Sequence, residues 1–278
     1  MKKLISSLII LAVLLCLCSC GEKGGSDSAS SKSSVVSDGV SSSDSGEIEA
    51  GSDDAQNQKK AVKRYYLYAP GKVLKTTYDV DYSVDGTITV NAFDENNYKT
   101  GSFAYDYDEN GLITYFVEMD KSGNELSHTA YEYNNLMKID SEYYYEQDAL
   151  RKTVKYQYNE KGLVTSKTVE TVGESDVYTW EYARDGDALY AIYISTQNQQ
   201  NVEGYNIANN TDGKLYQVYH MINGYAADYY MYDYDEDGDR NYIGYYDENN
   251  SLVEYYSFSY GMAPALAADA FLNTGIME

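Results

Sequence analysis

The chain has 278 residues, enough for one large domain or two modest ones, and its 44 acidic against 21 basic residues give a net charge of −23 and a pI near 4.3. Such a surface repels a phosphate backbone, which makes nucleic acid a poor partner. Two His leave little material for a transition-metal centre or for several acid–base roles, and 34 Tyr beside five Phe, two Pro and one Trp make one aromatic residue dominant.

Met1-Lys2-Lys3 is a short basic end, and the apolar run that follows it ends at Leu17. The run is shorter than the about 20 residues that span a bilayer as a helix, so residues 1–19 read as a signal peptide. It closes on Leu17-Cys18-Ser19-Cys20-Gly21, which resembles the lipobox of bacterial lipoproteins: an aliphatic residue three before the cysteine and a small one immediately before it. That resemblance implies that Cys20 is acylated with a diacylglyceryl group and becomes the mature N-terminus. It further implies attachment to a bacterial cell membrane on its extracytoplasmic face. Cys18 fits worse, because Leu17 stands where a small side chain is needed. A cleaved secretory peptide without lipid, or a short membrane anchor, are the alternatives. All three Cys, at 16, 18 and 20, fall in this segment, so the exported part has no pair for a disulfide.

Residues 20–60 change character. Twelve Ser lie between positions 26 and 52, with Gly, Asp and Glu and almost no large apolar residue, too little apolar surface to offset the entropy of ordering. This is a flexible tether, and a coil of its composition and length reaches roughly 35 Å.

Residues 61–261 repeat. Tyr82-Ser-Val-Asp-Gly86, Tyr107-Asp-Glu-Asn-Gly111, Tyr158-Asn-Glu-Lys-Gly162, Tyr182-Ala-Arg-Asp-Gly186, Asn209-Asn-Thr-Asp-Gly213 and Tyr234-Asp-Glu-Asp-Gly238 align, and Tyr133 and Tyr260 fill the remaining slots. Successive spacings from 82 to 260 run 25, 26, 25, 24, 27, 25 and 26. Two residues before each aligned position stands a large side chain: Val80, Tyr105, Tyr131, Tyr156, Trp180, Ile207, Tyr232 and Phe258. Residues two apart on a strand share a face, so each unit presents a pair that neighbouring strands stack into a ladder. Asp, Asn and Gly after each pair supply a hairpin turn. A second turn signal follows about half a repeat later, as at Asp94-Glu-Asn-Asn97, Asp120-Lys-Ser-Gly123 and Asp247-Glu-Asn-Asn250.

Two strands per unit predict an all-β chain of about 14 to 16 antiparallel strands, each near the long end of ordinary strand lengths. Laid side by side at about 4.8 Å each they span about 70 Å, and twist predicts an elongated, curling β-meander of hairpin repeats, with a closed β-barrel as the alternative. Residues 262–278 leave the rhythm. They are Ala-rich and predict a terminal cap, a short helix starting near Pro264.

Tyr105-Asp-Tyr107-Asp-Glu-Asn-Gly111, Tyr156-Gln-Tyr158-Asn-Glu-Lys-Gly162 and Tyr232-Asp-Tyr234-Asp-Glu-Asp-Gly238 resemble the YD repeats of bacterial cell-surface and Rhs-type proteins. The resemblance covers about residues 78 to 261 and implies β-hairpin repeats on an exported scaffold. Too few units for a large shell, and no Asp-Pro-x-Gly motif, argue against carrying over toxin encapsulation.

These elements predict a non-catalytic binding or interaction module. Tyr105, Tyr107, Tyr131, Tyr133, Tyr156, Tyr158, Trp180, Tyr182, Tyr232 and Tyr234 are its candidate ligand-facing aromatics, with a cell-wall glycan or a surface protein as the partner. The alternative is a structural spacer whose rings pack the sheet. A glycan-active hydrolase would need one convergent carboxylate pair, and the abundance of Asp and Glu selects none. No catalytic residue or cofactor is predicted, and His128 and His220 have no evident partner pattern. Asp233, Asp235, Asp237 and Asp239 match the first half of a Ca²⁺ loop, but its twelfth position is Gly244, so solvated turns are the preferred reading.

Overall fold

The computed structural model describes residues 58–83, 86–185 and 188–274. The signal segment, Cys20 and the tether up to residue 57 lie outside the described residues. Sixteen strands follow in chain order. They are β1 (Gln58–Ala69), β2 (Val73–Tyr82), β3 (Thr87–Asp94), β4 (Lys99–Tyr107), β5 (Ile113–Asp120), β6 (Glu125–Tyr133), β7 (Ile139–Glu146) and β8 (Ala149–Tyr158). The second half comprises β9 (Val164–Thr171), β10 (Glu174–Asp185), β11 (Ala188–Thr196), β12 (Gln199–Asn209), β13 (Leu215–Ile222), β14 (Tyr225–Tyr234), β15 (Arg240–Asp247) and β16 (Leu252–Pro264). One helix, α1 (Ala265–Leu272), ends the described chain. The first described strand begins at Gln58, within the bounds predicted for the tether.

The turns form for the reason their composition suggests. In β4–β5, Asp108 Oδ1 accepts the backbone N–H of Asn110 and of Leu112, both at 2.9 Å, and Gly111 takes φ 75°. Asn159, Asn210 and Asp235 open equivalent turns, closed by Gly162, Gly213 and Gly238 at positive φ. Asp120 and Asp247 do the same at the other ends of the strands. A left-handed residue closing such a loop shifts the register by one and sharpens the local twist. Register shifts adjoin most of these turns, for example between Asp106 and Tyr107 and between Asp233 and Tyr234.

All sixteen strands are antiparallel neighbours in chain order, and β1 pairs with β16 from Gln58↔Pro264 to Tyr68↔Tyr255, closing the sheet. The fold is a closed barrel, not the open, elongated meander. Accumulated twist brings the two edges together, and their pairing satisfies the rows of N–H and C=O groups that an open sheet leaves exposed.

The apolar face of every strand points inward. Val62, Tyr65, Val80, Ile88, Val90, Tyr105 and Ile113 form one core cluster, and Tyr156, Trp180, Ile192, Ile194, Tyr205, Val218, Tyr232 and Ile243 lie in a second; Tyr256 and Phe258 pack against both. Ile88 and Val90 are 0% exposed and Tyr232 2%, so the interior around them is filled by side chains. The outer wall mixes tyrosines with charged residues. It carries the ion pairs Arg64–Asp79 and Lys155–Glu170 at exposed positions, charges that are costly on the apolar outward band of a membrane-spanning barrel.

Helix α1 plugs the end where the chain enters. Pro264 precedes its first turn, and Ala267, Ala268, Ala270 and Phe271 are buried, with Phe271 edge-on to Tyr82 at 5.7 Å. Eight residues make a marginal helix in isolation, so packing holds it. Asn273 Nδ2 donates to Gly111 O at 3.2 Å, and Lys59 bonds to Asp269 on the outside.

Candidate functional site

The predicted aromatic pairs recur on alternate strands and face the inner wall, where they join the two core clusters. Tyr105, Tyr156, Trp180 and Tyr232 are buried, and Tyr131 is half-buried. In seven of the eight pairs, all but Ile207/Asn209, the second member is a tyrosine that lies toward the plugged end and is committed through its hydroxyl. Tyr82 donates to Val62 O (2.7 Å), Tyr107 to Ser83 O (3.3 Å), Tyr133 to Ile113 O (2.7 Å) and Tyr158 to Ile139 O (2.5 Å). Tyr182 donates to Val164 O (2.7 Å), Tyr234 to Leu215 O (2.8 Å) and Tyr260 to Arg240 O (2.5 Å). Each bond ties one repeat to the preceding one. Burial pushes the phenols of Tyr82, Tyr182 and Tyr260 above their ordinary 10.0, which keeps them neutral donors. Lys63 over Tyr82 (4.7 Å) and Lys214 over Tyr234 (4.9 Å) cover further ring faces. The expectation of a free stacking surface on these rings is therefore corrected: sheet closure turns them inward, and packing uses them.

Of the four aspartates, Asp235, Asp237 and Asp239 bring carboxylate oxygens within 4.8 Å of one another. Asp233 stands apart and accepts the N–H of Tyr234. The cluster already meets a cation of this chain, because Lys60 Nζ lies 2.9 Å from Asp237 Oδ2 and 2.5 Å from Asp239 Oδ2. Those bonds hold Asp237 below the ordinary carboxylate range. Millimolar Ca²⁺ is expected to leave the melting temperature of the wild-type chain unchanged; a rise of several degrees would show that the ion displaces Lys60.

The inner wall changes chemistry toward the opposite rim. His220 Nδ1 lies 3.3 Å from Asp228 Oδ2 and its Nε2 3.0 Å from Glu203 Oε1. Lys75 Nζ donates to Glu254 Oε2 at 3.0 Å, and Ser127 Oγ to Glu118 Oε2 at 3.4 Å. Glu142 is buried, and Tyr156 donates to its Oε1 at 2.8 Å. Burial pushes the Glu142 carboxyl up, opposed by that hydrogen bond and by Lys152 and Lys167. His220, Asp228, Lys75, Glu254, Glu118 and Lys152 lie two or three positions from the strand ends at the unplugged rim and Glu203 four, whereas Glu142 and Lys167 stand mid-strand. Side-chain exposures of 20% for His220, 26% for Glu203 and 21% for Asp228 show that water reaches this belt. Ionised groups on an inner wall cost stability unless they are paired or solvated, so the belt is where the barrel departs from simple packing. It was missed in the sequence, although Lys152, Glu203 and Asp228 stand two or four residues from inward rings and so share their face.

His220 gives the belt a pH signature. Hydrogen bonds to Asp228 and Glu203 raise its pKa from 6.5 to about 9. A raised value means stabilisation fully present below 6.5 and lost as pH rises through about 9. Since the ring is partly solvated, the discounted contribution is about 1–2 kcal/mol. His220→Gln is expected to be less stable than wild type by that amount in acid, with the gap closing in alkali. Urea titrations across this range check it, and a gap independent of pH would contradict it.

The outer wall holds an aromatic ladder. Tyr219–Tyr229 (5.1 Å), Tyr229–Tyr246 (4.8 Å), Tyr242–Tyr255 (5.4 Å) and Tyr255–Tyr68 (5.0 Å) link β13 to β1, and the Tyr242 and Tyr246 hydroxyls meet at 3.2 Å. His128 lies between Tyr115 (5.0 Å) and Tyr145 (4.5 Å), with Nδ1 2.5 Å from Glu125 Oε1. Tyr229 and Tyr246 stack at 3° to one another, and Tyr68 and Tyr255 at 15°. In each stacked pair the ring faces cover one another and leave edges to solvent, which suits a stiffened wall better than a platform for a flat ligand.

No protein-family model matches the chain, and no curated protein is similar to it. Among solved structures, a porin-like protein from Bacteroides uniformis is 11% identical, with 72% of this chain and 98% of that one covered and a TM-score of 0.36. A porin-like protein from Bacteroides vulgatus is 13% identical over 72% of this chain and 99% of its own, at 0.29. The Tc holotoxin pore of Photorhabdus luminescens is 16% identical over 66% of this chain, which spans 13% of that one, at 0.23. At these scores the likeness decides no function, and the barrel rests on its own strand pairing.

Proposed function

We propose that the chain is a lipid-anchored, extracytoplasmic binding module that engages its partner at the ionisable belt of the unplugged rim. The observation that carries this reading is the grouping of Asp228–His220–Glu203 and Lys75–Glu254 on an inner surface that water reaches, at the end opposite the helical plug. Strand β1 starts beside Pro264 at the plugged end. An anchor at Cys20 therefore joins the barrel from that end, and the belt lies at the other. The charged outer wall favours a barrel held at the membrane by its lipid over one threaded through it. The partner is a cell-wall glycan or a surface protein, and the reading assigns no catalysis.

The test is retention of the purified acylated chain on arrays of cell-wall glycans and peptides, compared with Glu203→Gln and Asp228→Asn. Retention weakened by these substitutions supports the reading; retention unchanged by either contradicts it. Mass spectrometry of the membrane fraction is expected to find diacylglyceryl on Cys20, and an unmodified thiol there would remove the anchor. One observation favours the structural spacer as a second reading: the inner tyrosine hydroxyls and many outer ring faces are already used within the fold.

A further inference from the structure

Six repeat units close their aligned turn on a polar residue followed by glycine: Asp85, Asn110, Lys161, Asp185, Asp212 and Asp237 each precede a Gly. The β6–β7 turn carries Leu136 and Met137 in those two places. That turn is built without their side chains. Asn134 Oδ1 accepts the backbone N–H of Leu136 at 2.9 Å and of Lys138 at 3.2 Å, as Asp108 and Asn159 do in the turns on either side. Met137 takes φ 56°, where Gly86, Gly111, Gly162, Gly213 and Gly238 stand at the equivalent positions, and a residue with a Cβ is disfavoured there. Leu136 and Met137 are each 58% exposed, so packing inside the barrel does not offset that cost. An exposed apolar tip held in a disfavoured backbone points to a contact outside the chain.

Helix α1 adds apolar surface at the same end. Ala267, Ala268, Ala270 and Phe271 face the barrel, while Leu266, Asp269 and Leu272, three apart, share the exposed face. Lys59 pairs with Asp269, which leaves the two leucines as the uncharged part of that face. The helix is seated on the β4–β5 turn: Asn273 donates to Gly111 O, and Leu266 Cδ1 lies 3.2 Å from where a Cβ on Gly111 would sit. Because β5 pairs with β6, the β6–β7 turn is the next one around this rim. Strand β1 enters here too, beside Pro264, so the tether predicted between Cys20 and Gln58 brings its lipid to this end within roughly 35 Å. A bilayer is flat, and it suits side chains that share one end of the barrel without converging on a point.

We infer that the plugged end rests on the phospholipid bilayer that carries the Cys20 anchor, with Leu136, Met137, Leu266 and Leu272 dipping into its headgroup–acyl boundary. This rests on the lipid anchor of the proposed function and adds the orientation of the barrel, whose ionisable belt then faces away from the membrane. Four side chains are a weak foothold for a free protein. The tether holds them at high local concentration beside the surface, so a modest apolar contact suffices. The contact needs no anionic lipid, which suits a chain with a net charge of −23.

The test places the acylated full chain on phosphatidylcholine vesicles with a single nitroxide, at Met137→Cys or at Val172→Cys. Val172 is also exposed, on the β9–β10 turn of the opposite rim. Power-saturation spectra with oxygen and a water-soluble nickel chelate are expected to place the 137 label about 5–10 Å into the headgroup–acyl boundary and the 172 label in water. A third label, at Lys161→Cys on the exposed tip of the β8–β9 turn, is expected among the headgroups and to shift into water in Leu136→Asn/Met137→Gly. That variant carries the residues of the other turns, and glycine suits φ 56°. Its melting temperature is therefore expected to equal or exceed that of wild type, which separates lost docking from lost fold. A 137 label as open to the chelate as the 172 label, on chains that stay with the vesicles, overturns the inference and leaves the anchor standing. An immersed 172 label beside a wet 137 label overturns it in favour of the opposite rim, and short distances between 137 labels on two chains overturn it in favour of a contact between copies. Chains that lack the acyl group and leave the vesicles remove the anchor and the inference together.

Discussion

Replacing Tyr82, Tyr107, Tyr133, Tyr158, Tyr182, Tyr234 and Tyr260 by Phe is expected to destabilise the barrel cumulatively. Each hydroxyl satisfies a backbone carbonyl of the preceding repeat. Losing such a bond costs about 0.5–1.5 kcal/mol, with the carbonyl left short of a partner. The sites are spread along the sheet, so their effects should nearly add, and the full set is worth about 5 kcal/mol or more. That is comparable with the about 5–15 kcal/mol that hold a typical domain folded. Urea titrations of single and combined variants measure it. A sevenfold Phe variant as stable as wild type would mean that water replaces the phenols without loss, and the inner tyrosines would then be held by ring packing alone.

The second large effect is expected at the plug. Phe271 is 1% exposed and packs on Tyr82 in the core cluster nearest the chain entry. Phe271→Ala is expected to cost about 3–5 kcal/mol through lost transfer energy and the cavity left behind. Lys59→Ala breaks the ion pair to Asp269, but both partners are about half exposed, so its expected cost stays within about 1 kcal/mol. Packing therefore holds α1 in place, and the surface ion pair only trims its position. Equilibrium unfolding followed by Trp180 fluorescence separates the two. Equal losses for the two variants would place the latch at the surface.

Much of this architecture is local and was readable. The spacing of Tyr107, Tyr133, Tyr158 and Tyr182 announced the repeats, Asp108 through Gly111 announced a turn, and Pro264 announced the helix. Closure was not readable, because the Tyr66↔Ser257 pairing joins strands from opposite ends of the chain. Nor did the sequence show which rings lie inside. Tyr also occupies the outer face at Tyr115, Tyr219, Tyr229 and Tyr255, so alternation did not separate an apolar side from a polar one. The belt depends on both facts: Glu203, His220 and Asp228 come from three strands, and only the register sets them around one imidazole.

Sheet closure is tested most directly by a cysteine pair at Tyr66→Cys and Ser257→Cys, opposite one another across β1 and β16. Paired residues on antiparallel strands have Cα atoms about 4.5–5.5 Å apart, within the range a disulfide bridges. The only native cysteines lie at or before position 20, in the signal segment and at its lipobox. Mild oxidation of the acylated protein is expected to give one intramolecular crosslink in the monomer, seen as a mobility shift and a single disulfide-linked peptide. Free thiols in the monomer, with crosslinking only between chains, would mean that the two edges do not meet and that the sheet is open.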